Sequence, residues 1–477
     1  MSVPIPNASQ SIVDGGLAIV PAANDGVSVK VGTSTTGVAG FYSYAGSDTD
    51  AVGTQLGNGP LPDATVKNLV HSGGKQTIAQ KVTASTAGSS SAVSQSGAGP
   101  AMTLTGTPDD YYLGIVQMLS GGARGTATFR HSLDGGATWS DAILTAATYA
   151  LSNGVTLNFP VGTYVLGETY SWTNTAPAFT AGDIGTALDD VIDSNFDPEF
   201  VHILGYPATA ADSATIAATV ATKIAAAHAA KKYFFVIIEE PPVDIATVVT
   251  AFASVAEKFL VVTAGFARIT DDRSGLTEKK PVGRTIAPRI ARNPIEVHLL
   301  RDVADSTIDP LADVVELVPS GAAASTGYHD EDKTPAGNAA RLTTLRTISG
   351  TQGFYPTNGL TMALGTSDFQ QLPFARIILK VARGSYAYQV TQLAKRVRID
   401  QATGRIAAKT RIALQRAWAS YIKTFLGDAV GVVRVLVSET DLNADPTLYA
   451  QVRVTVSGYA LVWSSTIGLA SSLPAAA

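Results

Sequence analysis

Two carboxylates stand side by side in IIEEPP, at Glu239 and Glu240. They fall at the carboxyl end of an expected strand, where α/β proteins place functional groups. General acid–base work needs two groups flanking one bond, and neighbouring strand residues face opposite sides. The pair therefore reads first as capping or salt-bridging glutamates. HSGGKQT (71–77) looks like a phosphate loop, but that motif needs glycine, four residues, then Gly-Lys-Ser/Thr. Here Leu69 holds the first glycine's place and Gln76 follows the lysine, so a polar turn is expected. GYHDEDKTP (327–335) gathers His329, Asp330, Glu331 and Asp332 without the spaced Asp/Asn-Gly pattern of a calcium loop. A solvated charged loop is expected. The six histidines show no H-x-x-x-H spacing, and G-x-S-x-G does not occur. His202 and His298 lie in apolar stretches and are expected as hydrogen-bonded core residues. No catalytic residue, cofactor or metal is expected.

The elements around these groups change rhythm along the chain. Residues 1–35 read as an extended arm leading into a strand, because Pro4 and Pro6 exclude a helix and Val27, Val29 and Val31 alternate. Residues 36–101 form the first part of the core and end in the Ser/Gly/Ala-rich linker ASTAGSSSAVSQSGAGPA (84–101). Short strands between turns fill 102–181, with Asp134-Gly135-Gly136 as the strongest hairpin signal. That pattern predicts an inserted all-β domain. Residues 182–375 alternate strand and helix: FVHILG, YFFVIIE and FLVVTAG are expected as parallel strands, and PIEVHLL (294–300) as a fourth. Residues 376–477 read as a separate α+β unit. In it Ile406, Thr410, Leu414, Trp418, Tyr421 and Phe425 form one helical face, followed by two alternating strands. Val452, Val454 and Val456 point one way in the last of these, and Gln451, Arg453 and Thr455 the other. The expected fold is α+β multidomain, an α/β core with an inserted all-β domain and a C-terminal α+β assembly domain with extended terminal arms.

Composition narrows the function classes. The 477 residues contain no cysteine, which removes disulfides, thiolate metal sites and cysteine nucleophiles together. Charged residues are only 15% of the chain and 44 are glycine. Such a surface suits a subunit that packs against copies of itself, and equally a Gly/Ala-rich sequence from a GC-rich genome. The opening MSVPIPNASQSIVDGG has no basic and apolar regions of a signal peptide, and no apolar run reaches a membrane span. Net charge is −5, unevenly spread. Residues 1–200 carry 16 acidic against 6 basic groups, whereas 376–423 carry 11 basic groups against Asp400 alone. Such asymmetry fits nucleic-acid binding, head-to-tail self-association, or docking on an acidic protein.

Four features together resemble the contractile tail sheath proteins of phages and phage-derived injection machines, in a divergent branch: an N-terminal arm, a β insertion, an α/β middle, and a closing helix with strands. VSVKVGTSTTGVAGFY is similar to the family's opening strand and turn, and LTTLRTISGTQGFYPTNGLTMA (342–363) to the segment before its C-terminal domain. The family's Trp-Gly-Ala-Arg-Thr is replaced there by Gly353-Phe354-Tyr355. The stretch RIALQRAWASYIKTFLGDAVGVVRVLVSETDLNADPTLYAQVRVTVSGYALV follows the family's ending, and SLDGGATWS resembles β insertions in a divergent branch. The resemblance implies a structural subunit in six-membered rings stacked helically around an inner tube protein, with baseplate and tail terminator partners. It implies a virion tail or injection particle assembled in the bacterial cytoplasm, with no membrane insertion and no direct nucleic acid. Strand pairing between subunits is expected at Val27, Val29, Val31, Val452, Val454 and Val456, with Tyr459, Leu461 and Trp463 in a donated arm (459–470). A tube-facing basic surface is expected at Lys395, Arg396, Arg398, Arg405, Lys409, Arg411, Arg416 and Lys423. The β insertion would decorate the outside, and contraction would be a fall from a metastable lattice to a compact one. The competing readings are a tail tube or adhesin, an α/β enzyme using Glu239 or Glu240, and a nucleic-acid binder using the basic segment.

Overall fold

The computed structural model describes residues 25–46, 48–205, 209–240, 243–301, 307–319, 328–439, 447–456 and 458. They divide into two units, one up to Val397 and one from Arg398 onward.

A six-stranded sheet carries the first unit, in the order Leu260–Thr263, Phe235–Glu239, Phe200–Ile203, Ser28–Gly32, Thr77–Lys81, Gly40–Tyr44. Every neighbouring pair is parallel except the last. FVHI, FVIIE and LVVT are buried along their whole length, as expected of strands covered on both faces. Thr180 with Asp183, and Thr209 with Asp212, form capping boxes that start the helices Ala181–Asp193 and Ala210–Ala229.

Three expectations need correction here. Val29 and Val31 lie in the Ser28–Gly32 strand at the middle of this sheet, with Val27 just before it, and the strand is paired on one side to Phe200–Ile203 and on the other to Thr77–Lys81. Both main-chain edges of Val29 and Val31 are used within the chain, so these two valines have none to offer another subunit. PIEVHLL forms turns instead of a fourth strand. The edge at Leu260–Thr263 is covered instead by the segment after Gly337, whose Thr343 and Met362 amides donate to Val262 and Leu260 at 2.9 and 2.8 Å. The Ser/Gly-rich stretch is no linker, since Ser89–Ser90 and Ser94–Ser96 both pair with Thr169–Thr175.

The all-β insertion centres on antiparallel Thr128–Ser132, Tyr112–Met118 and Thr169–Thr175, around buried Val116, Phe129, Leu157, Phe159 and Tyr170. Gly114 sits opposite Trp172, and a Cβ there would fall 2.1 Å from the indole, so no side chain fits. The insertion rests on the core through Tyr111, Ala176, Phe266 and Val318.

The Asp134-Gly135-Gly136 turn does more than reverse the chain. Asp134 is 1% exposed. Its carboxylate accepts from Ser132 Oγ at 2.7 Å, the Ala137 and Thr138 amides at 2.9 and 3.0 Å, and Thr138 Oγ1 at 2.7 Å. A further donor, Thr277 Oγ1 at 2.8 Å, comes from the core. Burial pushes this carboxyl up, but the Ser132 and Thr138 donors outweigh it and hold it below the ordinary value. Asp134→Ala orphans all of these donors at once. The expected loss is about 2–4 kcal/mol, read by urea denaturation followed through the tryptophan emission of the insertion.

Three cations of the basic segment are consumed inside this unit. The helix Leu372–Gln392 runs through Gly384 without a break. From it Arg376 pairs with Glu199 at 2.5 Å, Lys380 with Asp25 at 2.6 Å and Arg383 with Asp197 at 3.0 Å.

The second unit is the helix Ala408–Leu426 packed on an antiparallel ribbon of Val433–Val437 and Ala450–Val454. Its buried stripe is Trp418, Ile422 and Leu426. Tyr421 and Phe425, expected on that face, are half-buried and stack on each other with centroids 6.5 Å apart.

Candidate functional site

The residues singled out for chemistry are largely sealed. Glu239 Oε1 accepts from Arg284 Nε at 2.8 Å and stands 3.1 Å from His202 Nε2. Glu240 points elsewhere and accepts from the Gly265 amide, and burial pushes its carboxyl well above the ordinary value. Both are about fully buried, at 1% and 0% exposed, and they flank no common space. His202 is a core residue as expected, with its Nδ1 3.5 Å from Lys30 Nζ. His298 is also buried, and its Nδ1 accepts from the Leu300 amide at 3.2 Å. HSGGKQT is a turn with Gly73 and Gly74 at φ of 74° and 76°, and His71 lies 3.1 Å from Asp272.

The GYHDEDKTP expectation is overturned. His329, Asp330 and Glu331 are buried, not solvated. Glu331 accepts from the Ala336, Gly337 and Asn338 amides and from His329 Nε2 at 2.7 Å, while Asp330 accepts from Thr347. These carboxylates serve as internal caps for a backbone that makes few regular hydrogen bonds. Asp-x-x-Lys-Thr-Pro spacing carries turn chemistry, which was the signal available in the sequence.

A row of ionisable groups that no sequence motif marks crosses the sheet. Lys30, His202 and Glu239 come from three adjacent strands, and Arg284 comes from the helix Gly283–Arg292. Arg284 reaches on to Asp110 of the insertion at 3.4 Å, and Lys280 meets the same carboxylate at 2.7 Å. Burial pulls the Lys30 ammonium down to about 7 and His202 to about 4. A void of about 20 Å³ touches Arg284 and Lys280, enough for a water and too small for a substrate. The row joins elements and has no access for chemistry.

The second unit presents the larger open chemistry. Val433 pairs with Val454 and Val435 with Val452, the alternation expected from the sequence. Val435 and Val437 are buried, Val452 and Val454 half-buried, and Arg434, Leu436, Gln451 and Arg453 exposed. The Ser438 amide donates to Tyr449, and Thr455 to Val432, so the even-numbered residues of the first strand make the ladder bonds. By antiparallel alternation, the backbone groups of Val433, Val435, Val437, Ala450, Val452 and Val454 point outward. No third strand pairs with the ribbon among the described residues. Val456 is 37% exposed beside it. Tyr459, Leu461 and Trp463 lie outside the described residues.

The basic residues separate by role. Lys395 and Arg396 are exposed and belong to the first unit. In the second, Lys423 is spent capping its own helix, donating to Gly427 O at 2.9 Å and to Val430 O. Arg411 pairs with Glu439, and Arg405 approaches the same carboxylate at 3.6 Å. Arg398, Lys409 and Arg416 are exposed, with Lys409 and Arg416 seven residues apart on the solvent face of one helix.

The model of the DUF2586 N-terminal domain matches residues 5–360. None of the curated proteins matches the chain in sequence. Among solved structures, the chain is similar to a component of the anti-feeding prophage (AFP) baseplate in the contracted state, at 10% identity and a TM-score of 0.55. That match covers 98% of this chain and 99% of the other. A sheath tail protein from Desulfitobacterium hafniense matches at 12% identity and a TM-score of 0.46, over 91% of this chain and 97% of that one. A component of the six-fold symmetrised AFP baseplate matches at 13% and 0.42, over 62% and 76%. The contracted-state component thus shares this fold along nearly its full length.

Proposed function

We propose that this chain, which belongs to the DUF2586 family, is a structural subunit of a phage-tail-type particle, and specifically of a contractile sheath. Copies polymerise into six-membered rings stacked helically around an inner tube, and contraction of the stack drives the tube through a target envelope. The particle's baseplate and terminator proteins bound the stack, which assembles in the bacterial cytoplasm.

The observation that carries this reading is the two-stranded ribbon Val433–Val437 and Ala450–Val454, to whose outer edges no strand pairs among the described residues. The helix Ala408–Leu426 supports one face of the ribbon, but unpaired strand edges are an aggregation hazard. A strand added from a neighbouring copy removes that hazard. Its main-chain bonds also survive rotation of the bodies they join. The apolar YALVW (459–463) is the segment we assign to that role. The exposed cations Arg398, Lys409 and Arg416 suit an acidic partner surface. The fold shared with a baseplate component of a prophage particle supports the same class, and also favours a second reading, a subunit confined to one ring at the baseplate.

Negative-stain microscopy of the purified full-length chain separates these readings. Striated cylinders or short wide tubes are expected. Single rings favour the baseplate reading, and small dispersed particles refute both. A chain ending at Gly458 is expected to stay folded by circular dichroism and to form no tubes. Unaltered tubes from it would remove the assigned arm from the assembly.

A further inference from the structure

We infer that the cleft between the β insertion and the core is a binding site for a neutral or amino sugar. It is a cavity of about 290 Å³, at the lower end of the range of small-molecule sites, about 300–1,000 Å³. Three elements enclose it: the turn after Thr128–Ser132 in the insertion, the start of the helix Pro60–His71, and the turn between Phe266–Thr270 and Thr277–Pro281. The inference is independent of the assembly reading, because the ribbon takes no part in it.

The lining has the chemistry that a pyranose requires, an aromatic plate beside planar hydrogen-bonding groups. Trp139 is the plate. Arg130 lies over its ring, 4.2 Å from the centroid, and fixes the indole. Asn58 and Arg273 supply amide and guanidinium groups, and Asp63 and Glu278 supply carboxylates.

Asp63 is the most telling of these. Its nearest cations are Arg273 at 3.6 Å and Lys280 at 3.8 Å, both beyond hydrogen-bond distance. Burial holds its carboxyl above the ordinary range. Asp63, half-buried, therefore lines the cavity with both cations held off beyond hydrogen-bond distance. Ligand hydroxyls, each both donor and acceptor, give its carboxylate donors at hydrogen-bond distance. Three carboxylates line the cavity against the single cation Arg273, which disfavours an acidic sugar.

Saturation-transfer NMR on the full-length chain tests this with glucose, galactose, glucosamine, N-acetylglucosamine and N-acetylneuraminic acid as probes. At least one neutral or amino sugar is expected to give signal, and the acidic sugar none. Trp139→Ala and Asp63→Asn are each expected to weaken that binding tenfold or more, with Leu166→Ala on the far tip of the insertion as an unaffected control. Thermal midpoints confirm that each variant is folded; if Trp139→Ala unfolds, Arg273→Lys is read in its place. No signal from any neutral or amino sugar, signal from the acidic sugar alone, or signal unchanged in the folded variants overturns the site. A protein that forms tubes but binds no sugar would fail here and leave the assembly reading intact.

Discussion

Replacing Lys30 by methionine is expected to stabilise the first unit by about 4–5 kcal/mol near pH 6, and by almost nothing near pH 10.5. Lys30 is fully buried on the central strand. Among the described residues its ammonium meets His202 Nδ1, 3.5 Å away, and the Phe200 ring, 5.0 Å from the centroid. Burial is the main cause that lowers its pKa from 10.5 to about 7, opposed by the charge of Glu239 and aided by that of Arg284. The unfolded chain therefore binds a proton that the folded chain lacks between about pH 7 and 10.5, and stability rises with pH across that window. Below it the full penalty of a buried cation is present. Methionine fills the same stem volume without the charge. Asp63 and Glu240 also titrate away from their ordinary values, so the informative quantity is the difference between the wild-type and Lys30→Met stability curves. A flat difference from about pH 6 to 10.5 would show that Lys30 is paired more strongly than its geometry indicates.

The second large effect has the opposite sign. Arg376→Met is expected to cost about 3–5 kcal/mol. The guanidinium bridges both oxygens of Glu199, at 2.5 and 3.1 Å, and donates to the Asn293 and Pro294 carbonyls at 3.0 and 3.2 Å. Glu199 is 5% exposed and also accepts from the Gly26 amide. Removing the arginine leaves that carboxylate buried with no countercharge, and neutralising it by Glu199→Gln in the same chain should restore part of the loss. Guanidinium denaturation of the two variants measures both terms. If Arg376→Met costs less than about 1 kcal/mol, the long helix is held by apolar packing and not by this pair.

Legibility in the sequence followed the physics of each element. FVHI, FVIIE and LVVT announce a parallel sheet because burial on both faces demands unbroken apolar runs. The opening strand did not, since Ser28 and Lys30 give it the alternation of a half-solvated strand. Only the tertiary placement of His202 and Glu239 makes a buried lysine tolerable there. The Ser/Gly-rich stretch misled for a related reason. Serines pair well at the rim of a sheet, where Ser89 and Ser96 are exposed, and composition alone does not separate a rim strand from a tether. In the last helix, the valid stripe Trp418, Ile422, Leu426 keeps a spacing of four. Following Ile406 and Thr410 shifted the expected face by part of a turn. The basic run was legible as charge but not as allocation, because the acids that neutralise Arg376, Lys380 and Arg383 lie far away in sequence at Asp25, Asp197 and Glu199.

The central strand sets the order of events during synthesis. Ser28–Gly32 is translated before its partner Phe200–Ile203, which is made roughly 170 residues later. Contacts of such long sequence separation close slowly. Until then the nascent chain holds an uncompleted apolar edge, while the insertion, whose strands lie within 89–175, has all its partners in hand. The ribbon that we assign to joining copies is translated after Phe200–Ile203, so each subunit becomes adhesive only after its own sheet has the residues to close.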